Sequence, residues 1–315
     1  MDQRLLLSLA VALDYLLGDP LWWPHPVCAI GWVISTYEGL IRCSRLSLKV
    51  GGYVLAGLTM LTVLMILTFL LWLARLVHPV VQRLLVVYFL YSSLAAKSLR
   101  VAAMKVYRAL HEGDLEGARY QLSHIVGRDT QKLDRQGIIK AAVETVAENT
   151  IDGVLAPLFF IGLGIMFQVP VQLVYLYKTI NTLDSMVGYV HEPYREIGYA
   201  SAKLDDLVNL IPARVGSLLM LIAGALLGGD LKAGWRIWHR DHRKHKSPNS
   251  GHPEAVVAGL LQIQLGGSNT YFGQVVHKPT IGDFTRTPDE EDIRKAIRIT
   301  YGAQVLGTLC FLVLL

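Results

Sequence analysis

Long apolar runs alternate with polar segments along this chain. Residues 51–74 contain no Asp, Glu, Lys or Arg, and neither do residues 153–177. Each run exceeds the roughly 20 residues that a helix needs to cross a bilayer. Backbone groups in lipid must be hydrogen-bonded within the chain, so these runs are predicted to be helices. A soluble protein with very apolar core helices is the less favoured alternative, because two such runs are hard to place in a water-soluble core.

The pattern predicts an all-α, polytopic helical membrane protein that forms a single integral membrane domain over residues 1–315. Spans are predicted near residues 4–17, 51–76, 80–96, 153–177, 210–229 and 299–315. The main polar segments, predicted as amphipathic or cytoplasmic helices, are residues 97–152, 178–209 and 230–298. A break near Gln168-Val169-Pro170 would divide one run into two shorter halves, because proline interrupts a helix. The topology of residues 153–229 stays open at this point.

Composition and charge agree with a membrane protein. Hydrophobic residues make up 52% of the chain and charged residues 17%, against about 25% charged residues in soluble domains. The net charge is +5, and the basic residues concentrate between the spans, in residues 97–140 and 232–246. The positive-inside rule therefore predicts that both segments are cytoplasmic. The chain is predicted to be a multi-pass protein of the cell membrane. Because the rule accounts for the basic residues, no nucleic-acid partner is expected. The three cysteines are scattered and show no metal-binding spacing.

The first polar segment carries a stripe of carboxylates on one predicted helix. Glu144, Glu148 and Asp152 are spaced four apart and follow Lys140 at the same interval. Each step of four turns an α-helix by about 40° and rises about 6 Å, so the stripe is slanted and runs into an uncharged span. A solvated acidic face is the ordinary alternative. Charge beside a bilayer is costly unless compensated, which favours a bound cation, and Mg²⁺ suits carboxylate oxygens.

The second polar segment holds two further acidic groups. Asn181 and Asp184 lie on one predicted helical face, and a second acidic group combines Asp205, Asp206 and Asn209. Positive charge at the same level comes from Lys178, Arg195, Lys203 and Arg214. The alternatives are a hydrogen-bonded structural role for Asp184 and ordinary flanking anchors for Arg195 and Lys203.

The third polar segment contains a turn, SPNSG at residues 247–251, before a helix that can begin at Pro253. Backbone N–H groups at a helix start can hold an anion such as phosphate, although this signal alone is weak. The basic run at residues 239–245 is interpreted as a charged loop. The chain has no G-x-x-x-x-G-K-[ST] loop, no H-E-x-x-H and no G-x-S-x-G. A bound nucleotide would therefore need carboxylate-held Mg²⁺ and scattered basic groups.

Several blocks resemble the adenosylcobinamide-phosphate synthase family of cobalamin biosynthesis. They are GDPLWWPHPV at 18–27, GRDTQKLD at 127–134, ETVAENTIDGVLAPLFF at 144–160, NTLDSMVGY at 181–189, YASAKLDDLVNLIPAR at 199–214 and SPNSG at 247–251. They cover most of the chain in the right order, whereas residues 50–96 and the extreme C-terminus add little. The resemblance implies a membrane ligase that joins a propionate of adenosylcobyric acid, a corrinoid, to (R)-1-amino-2-propanol or its O-phosphate, with ATP and Mg²⁺. Its expected partners are this corrinoid, aminopropanol phosphate and the lipid bilayer; the oligomeric state, including a homo-oligomer, stays open.

The resemblance also suggests roles for the residues found above. The expected Mg²⁺ ligands and catalytic acids are Glu144, Glu148, Asp152 and Asp184, and the expected base is Asp205 or Asp206. Expected phosphate contacts are Arg128, Lys178, Lys203 and Arg214. Substrate binding is further assigned to Asn181, Asn209, Asn249, Ser247 and His25.

Two other function classes remain open from the residues alone. Intramembrane carboxylates also mark the ion pathways of transporters. The N-x-x-D and D-D-x-x-N patterns resemble the diphosphate-binding helices of Mg²⁺-dependent membrane prenyltransferases. Only the family resemblance favours the ligase over these two.

Overall fold

The chain forms a helical structure with one short hairpin. The computed structural model describes residues 2–20, 22, 24–189, 191–271 and 274–315. Its first helices are α1 (Gln3–Leu17), α2 (Pro26–Arg42), α3 (Leu48–Val77), α4 (Pro79–Tyr91), α5 (Ala96–His111), α6 (Leu115–Ser123) and α7 (Arg135–Thr150). A π-helical turn, Ile151–Leu155, follows α7. The later helices are α8 (Ala156–Met166), α9 (Pro170–Val187), α10 (Tyr199–Val208), α11 (Leu210–Leu226), α12 (Leu231–Asp241), α13 (Gly251–Leu261) and α14 (Glu291–Leu314).

Local sequence sets several helix ends. His78 ends α3 and caps α4, because its Nδ1 accepts the N–H of Val80 at 3.2 Å. Pro79 occupies the first position of α4, where a missing N–H costs nothing. Asp134 caps α7 by accepting the N–H of Gly137 at 2.7 Å. Such caps satisfy donors that the first turn of a helix would otherwise leave unpaired.

Among the residues that the structure describes, four helical segments are long and apolar enough to cross a membrane: Leu48–Val77, Pro79–His111, Arg135–Met166 and Glu291–Leu314. A fifth candidate is the pair α10 and α11, which is bent by 48°. Exposed apolar side chains cover the outside of α3, among them Leu61, Phe69, Trp72 and Leu76. These findings confirm an all-α, polytopic membrane protein.

The predicted run at residues 153–177 has a more detailed structure. The helix that enters it begins at Arg135 and ends at Met166, and α9 begins at Pro170. The helix is therefore interrupted at residues 167–169, near the break that was predicted at Gln168-Val169-Pro170. Because the helix begins upstream, the carboxylates at 144 and 148 lie within a long helix rather than before it. Over the predicted segment 4–17, α1 has 15 residues and is shorter than the candidate spans.

Two compact units divide the chain. The first comprises residues 1–95, 157–209 and 310–315, and the second comprises residues 96–156 and 210–309. In the first unit, α1, α2, α3, α4 and α9 pack around a buried apolar core that includes Leu7, Ile34, Leu55, Leu90 and Tyr175. This core supplies the rigid frame for the polar residues of α9 and α10.

The second unit packs α5, α6 and α7 together, and α11, α12 and α13 together. At Gly259 a Cβ would lie 2.6 Å from the Cα of Gly234, so α12 and α13 meet backbone to backbone. An antiparallel hairpin, β1 (Leu265–Tyr271) and β2 (Gln274–Ile281), contacts α7 and α13. The sequence analysis did not predict this hairpin, because residues 265–281 lack a clear apolar alternation.

Candidate active site

An ion pair anchors the acidic face of α7 in the second unit. Arg128 donates to Glu144, and their side chains are only 11% and 6% exposed. The N–H of Gly266 donates to the other Glu144 oxygen at 2.7 Å. Gly266 has a positive φ of 74° and lies at the irregular register of the hairpin, where a Cβ would be 2.4 Å from the Pro279 carbonyl oxygen. The hairpin therefore presents a backbone donor to Glu144 that only glycine can provide without strain.

The second acid of α7 contacts the predicted turn before α13. The Ser250 hydroxyl donates to Glu148 at 2.8 Å. The Ser247 hydroxyl accepts the N–H groups of Asn249 and Ser250 at 3.2 and 3.3 Å. Arg214 lies 3.5 Å from the Asn249 side-chain oxygen. Four residues predicted for the site, Glu148, Ser247, Asn249 and Arg214, are therefore held at or beside one turn.

A third acid, Glu254, was missed by the sequence analysis. It lies on α13 and is 6% exposed. Burial, together with the negative charges of Glu144 and Glu148, raises the pKa of Glu254 well above its ordinary value, although Lys278 and Arg128 oppose this. A signal was available, because His252 and Glu254 are the only polar side chains of α13, which is otherwise apolar and is buried along its whole length. An acid in such a helix is rarely incidental.

A cavity of about 110 Å³ opens beside these acids. Its lining residues are Glu144, Lys244, His245, Lys246, Glu254, Gly266, Lys278, Pro279 and Ile281. Burial lowers the pKa of His245, and this outweighs the opposite effect of Glu148. The His245 Nδ1 accepts the N–H of Ser247 at 3.0 Å. Lysine and glutamate residues therefore both line the same small volume.

His252 is a second residue of α13 that the sequence analysis missed. It is 5% exposed, and its Nδ1 accepts the indole N–H of Trp238 at 2.9 Å. The ring proton therefore lies on Nε2, for which the described part of the chain offers no hydrogen-bond partner. Burial, with smaller contributions from Arg214, His242 and Arg243, lowers the pKa of His252 to about 4. The imidazole is neutral at neutral pH.

In the first unit, the polar residues of α9 and α10 form a separate hydrogen-bond network, the amide network. Asn181 and Asn209 donate to the two oxygens of Asp205 at 3.2 and 3.0 Å. The Tyr177 hydroxyl donates to the Asn209 side-chain oxygen at 3.1 Å, and its ring stacks on Phe160. The network joins Asn181, from one predicted group, to Asp205 and Asn209, from the other, and the sequence analysis did not predict this contact.

Other predicted residues of the first unit have local contacts. Lys203 lies 3.1 Å from Asp206. Asp184 packs against Gly188, where a Cβ would be 1.9 Å from its side-chain oxygen. This close approach explains the glycine one turn after the aspartate.

His25 also has a local structural contact. It caps α2 by accepting the N–H of Val27 at 3.2 Å, and its Nε2 lies 3.3 Å from Asp19. These contacts account for the position of His25 without a ligand.

The predicted residues therefore fall into two groups. Arg128, Glu144, Glu148 and Asp152, with Arg214, Ser247 and Asn249, belong to the second unit. Lys178, Asn181, Asp184, Lys203, Asp205, Asp206, Asn209 and His25 belong to the first unit. Convergence of the two groups on one substrate stays a prediction.

The carboxylates of the second unit are candidate ligands for Mg²⁺. Among the described residues, no group of three or more His, Cys, Asp or Glu side chains is placed to hold a metal ion. Mg²⁺ is usually held by one or two carboxylates, with water and substrate phosphates completing its shell. Glu148 and Glu254 supply carboxylate oxygens of the kind that Mg²⁺ prefers, and the charge of Glu148 acts on Glu254. The residues fit an ion that arrives with a phosphate, and the four-carboxylate set stays a prediction.

The fold and these charges define a polytopic helical membrane protein with a group of acidic side chains in its second unit. Comparison with protein-family models matches residues 7–300 to the model described as CobD/Cbib protein. The chain belongs to the CobD/CbiB family.

Relatives support the same assignment over nearly the full length. Cobalamin biosynthesis protein CobD of Streptococcus sanguinis is 48% identical over 303 residues, covering 96% of this chain and 94% of the relative. The CobD protein of Geobacter metallireducens is 48% identical over 310 residues, covering 97% and 93%. Cobalamin biosynthesis protein CbiB of Salmonella arizonae is 45% identical over 314 residues, covering 96% and 95%. No solved structure matches the chain. The family is consistent with a part in cobalamin biosynthesis.

Proposed function

We propose that this protein is an ATP- and Mg²⁺-dependent ligase of the cell membrane, which joins the propionate of adenosylcobyric acid to aminopropanol phosphate. Relatives that are 40–48% identical are named cobalamin biosynthesis proteins, which supports a corrinoid substrate. The observation that carries the proposal is the small cavity lined by both lysines and glutamates. Aminopropanol phosphate has an ammonium group and a phosphate group, so a cavity of mixed charge complements both ends of it.

The residues of the cavity have distinct roles in this proposal. Lys246 and Lys278 are proposed to attract the phosphate, and Glu254 is proposed to contact the ammonium group. Lys244 is ion-paired with Asp241 at 2.8 Å and is assigned no contact with the substrate. Arg128 and the Gly266 N–H fix the orientation of Glu144. Because both ends of the amine are held, its nitrogen is positioned for attack, which lowers the entropic part of the barrier.

A carboxylate is a poor acyl donor and needs activation before an amine can attack it. Bound ATP with Mg²⁺ would supply that activation by phosphoryl transfer. Glu148 is proposed as a contact for the metal, and Arg214 as a contact for phosphate. The activated carboxyl carbon then forms the C–N bond, the C–O bond to phosphate breaks, and phosphate leaves.

The amine must lose a proton before it attacks. Asp205 accepts hydrogen bonds from the amides of Asn181 and Asn209, and protonation would weaken these bonds. Asp206 pairs with the exposed Lys203, and its side chain is 27% exposed. We take Asp206 as the proposed base.

The decisive experiment uses the full-length protein in lipid vesicles with adenosylcobyric acid, aminopropanol phosphate, ATP and Mg²⁺. We expect the amide product by mass spectrometry, and none without ATP. Glu148→Gln should abolish the product while the protein stays folded. Glu116→Gln, at an exposed carboxylate, is the matched control and should keep activity. Full activity of Glu148→Gln would refute the role of Glu148. Absence of product from the wild type, or flux of an unmodified substrate across the vesicle, would refute the ligase.

A further inference from the structure

A second, larger cavity lies in the second unit, at the other end of α13. It has a volume of about 380 Å³ and shares no lining residue with the cavity beside Glu254. Its walls come from the end of α11, the end of α13 and the first turns of α14. Three basic side chains, Arg286, Lys295 and Arg298, line it. The proposed ligation uses none of these residues.

The basic wall is held in place by a buried carboxylate. Arg286 donates to both oxygens of Asp292, which is 0% exposed, and to the Leu261 carbonyl oxygen at 2.8 Å. Lys295 lies 3.6 Å from the same carboxylate. Within the described residues, no carboxylate lies at ion-pair distance from Arg298. Arg286 also lies 3.6 Å from Asp289. Two carboxylates therefore share Arg286 and Lys295, and Arg298 is the cation of this wall that is left for a ligand.

The cavity lining also contains one acidic residue, Asp230. One Asp230 oxygen accepts the side-chain N–H of Gln262 at 2.7 Å, and the other accepts the N–H of Ala233 at 2.9 Å. Asp230 therefore caps α12, and the lining itself contains three basic side chains and one acidic side chain. The opposite wall includes Gly224, Gly228 and Gly229, which leave space for a ligand.

The cavity also lies where a membrane span begins. Arg298 is the last charged residue of the chain, and residues 299–315 are uncharged. Farther along α14, Val305 and Leu309 are exposed, as are Leu226 and Leu227 at the end of α11. Exposed apolar side chains next to a basic cavity at a span boundary match the two parts of a phospholipid. Basic cavities of this kind between membrane helices bind anionic lipid headgroups.

We propose that this cavity binds the phosphate headgroup of an anionic phospholipid. The headgroup contacts Arg298, Lys295 and Arg286, and the acyl chains lie along Leu227, Val305 and Leu309. The lipid would brace the start of α14 against the end of α11, which already approach closely at Gly302 and Ala223.

The test measures the thermal unfolding midpoint of the purified full-length protein in neutral detergent. Phosphatidylglycerol is titrated in one series, phosphatidylcholine in a second and inorganic phosphate in a third. We expect phosphatidylglycerol alone to raise the midpoint. Each basic residue near a membrane surface strengthens binding of anionic lipid about fivefold, so Lys295→Gln/Arg298→Gln should weaken the affinity for phosphatidylglycerol, obtained from the titration, about thirty-fold. Lys105→Gln/Arg108→Gln removes the same charge from α5, outside the cavity lining, and should keep the response.

Two results would overturn the proposal. One is an unchanged response to phosphatidylglycerol in the double variant. The other is an equal rise with inorganic phosphate, which would identify a site for a soluble anion. If the double variant does not fold, Arg298→Gln alone decides, because no described carboxylate lies at ion-pair distance from Arg298; the affinity for phosphatidylglycerol should weaken about fivefold. None of these measurements depends on the ligase reaction.

Discussion

The two compact units hold their carboxylates in different ways. In the amide network of the first unit, Asp205 accepts hydrogen bonds from two neutral side-chain amides. In the second unit, Glu144, Glu148 and Glu254 lie close enough that the first two raise the pKa of the third. Arg128 compensates one of these charges through a buried ion pair. The first arrangement distributes one charge over fixed dipoles, whereas the second concentrates several acids around a cavity.

This difference indicates a positioning role for the amide network and a chemical role for the acids of the second unit. A carboxylate whose oxygens are hydrogen-bonded by amides gains little from a further ligand. An acid whose pKa is raised by burial and by neighbouring carboxylates, as that of Glu254 is, gains from any ligand that brings positive charge, and a perturbed acid next to a cavity is typical of a functional site. We therefore expect substitutions in the second unit to affect stability and activity more strongly than those in the amide network.

The largest effect is expected from Glu144→Gln. This change leaves the Arg128 guanidinium buried without its charge partner, since the two side chains are only 11% and 6% exposed. Loss of one partner from a buried pair costs about 3–5 kcal/mol of the free energy of unfolding. Denaturant unfolding in detergent measures it, together with the assay for the amide product, which should be lost.

A charge-matched variant tests the cause. Arg128→Gln/Glu144→Gln removes both charges, and most of the lost stability should return while activity stays absent. A cost below about 1 kcal/mol for Glu144→Gln would show that the pair behaves as an exposed one, and the comparison of the two units would fail.

The second unit should also respond to acid. The folded-state pKa of His252, about 4, lies below the ordinary value of 6.5. The neutral form is therefore favoured by folding, so this stability is fully present above pH 6.5 and is lost as pH falls towards 4. The full loss is at most about 3 kcal/mol, because each pKa unit corresponds to about 1.4 kcal/mol. The amide network of Tyr177, Asn181, Asp205 and Asn209 contains no imidazole.

Unfolding measured between pH 7 and pH 4 checks this prediction. His252→Gln keeps an acceptor for the Trp238 indole but does not titrate, so the slope of stability with pH should flatten. His124→Gln, at an exposed histidine, should keep the wild-type slope. An unchanged slope in His252→Gln would contradict the assignment of a buried neutral imidazole.

In the amide network, Asp205→Asn should cost about 1–3 kcal/mol. The new amide turns one acceptor oxygen into a donor, which then opposes the N–H of Asn181 or Asn209. Denaturant unfolding measures the loss, and Glu196→Gln at an exposed carboxylate is the control in the same unit. No measurable loss would mean that these hydrogen bonds do not hold α9 and α10 together.

Much of the fold was predictable because membrane spans leave a strong record in the sequence. Charge-free runs predicted α3 and the end of α14, and Pro170 predicted the break before α9. The hairpin was not predictable in this way. Its register depends on the positive φ of Gly266 and on contacts with α7, and neither leaves a periodic pattern.

The candidate site was predictable only where its residues share an element. The spacing of four brought Glu144 and Glu148 to one helix, and composition predicted the turn at Ser247. Their partners lie far away in the chain: Ser250 is 102 residues from Glu148, and Gly266 is 122 residues from Glu144. No local pattern records such pairs. Glu254 could have been found, as the only acid in the apolar helix α13.

The smallest effect on stability is expected from Lys203→Gln, and it tests whether the first unit takes part in chemistry at all. The Lys203 side chain is 61% exposed, and exposed ion pairs contribute about 0–1 kcal/mol. If Lys203 contacts phosphate, KM for the phosphorylated substrate should rise while kcat changes little, because the contact acts on bound substrate and transition state alike. Arg45→Gln, at another exposed basic residue of the first unit, should leave both constants unchanged. If Lys203→Gln behaves like Arg45→Gln, Lys203 is a flanking anchor. The amide network and the Lys203–Asp206 ion pair would then only position the helices, and the chemistry would belong to the second unit.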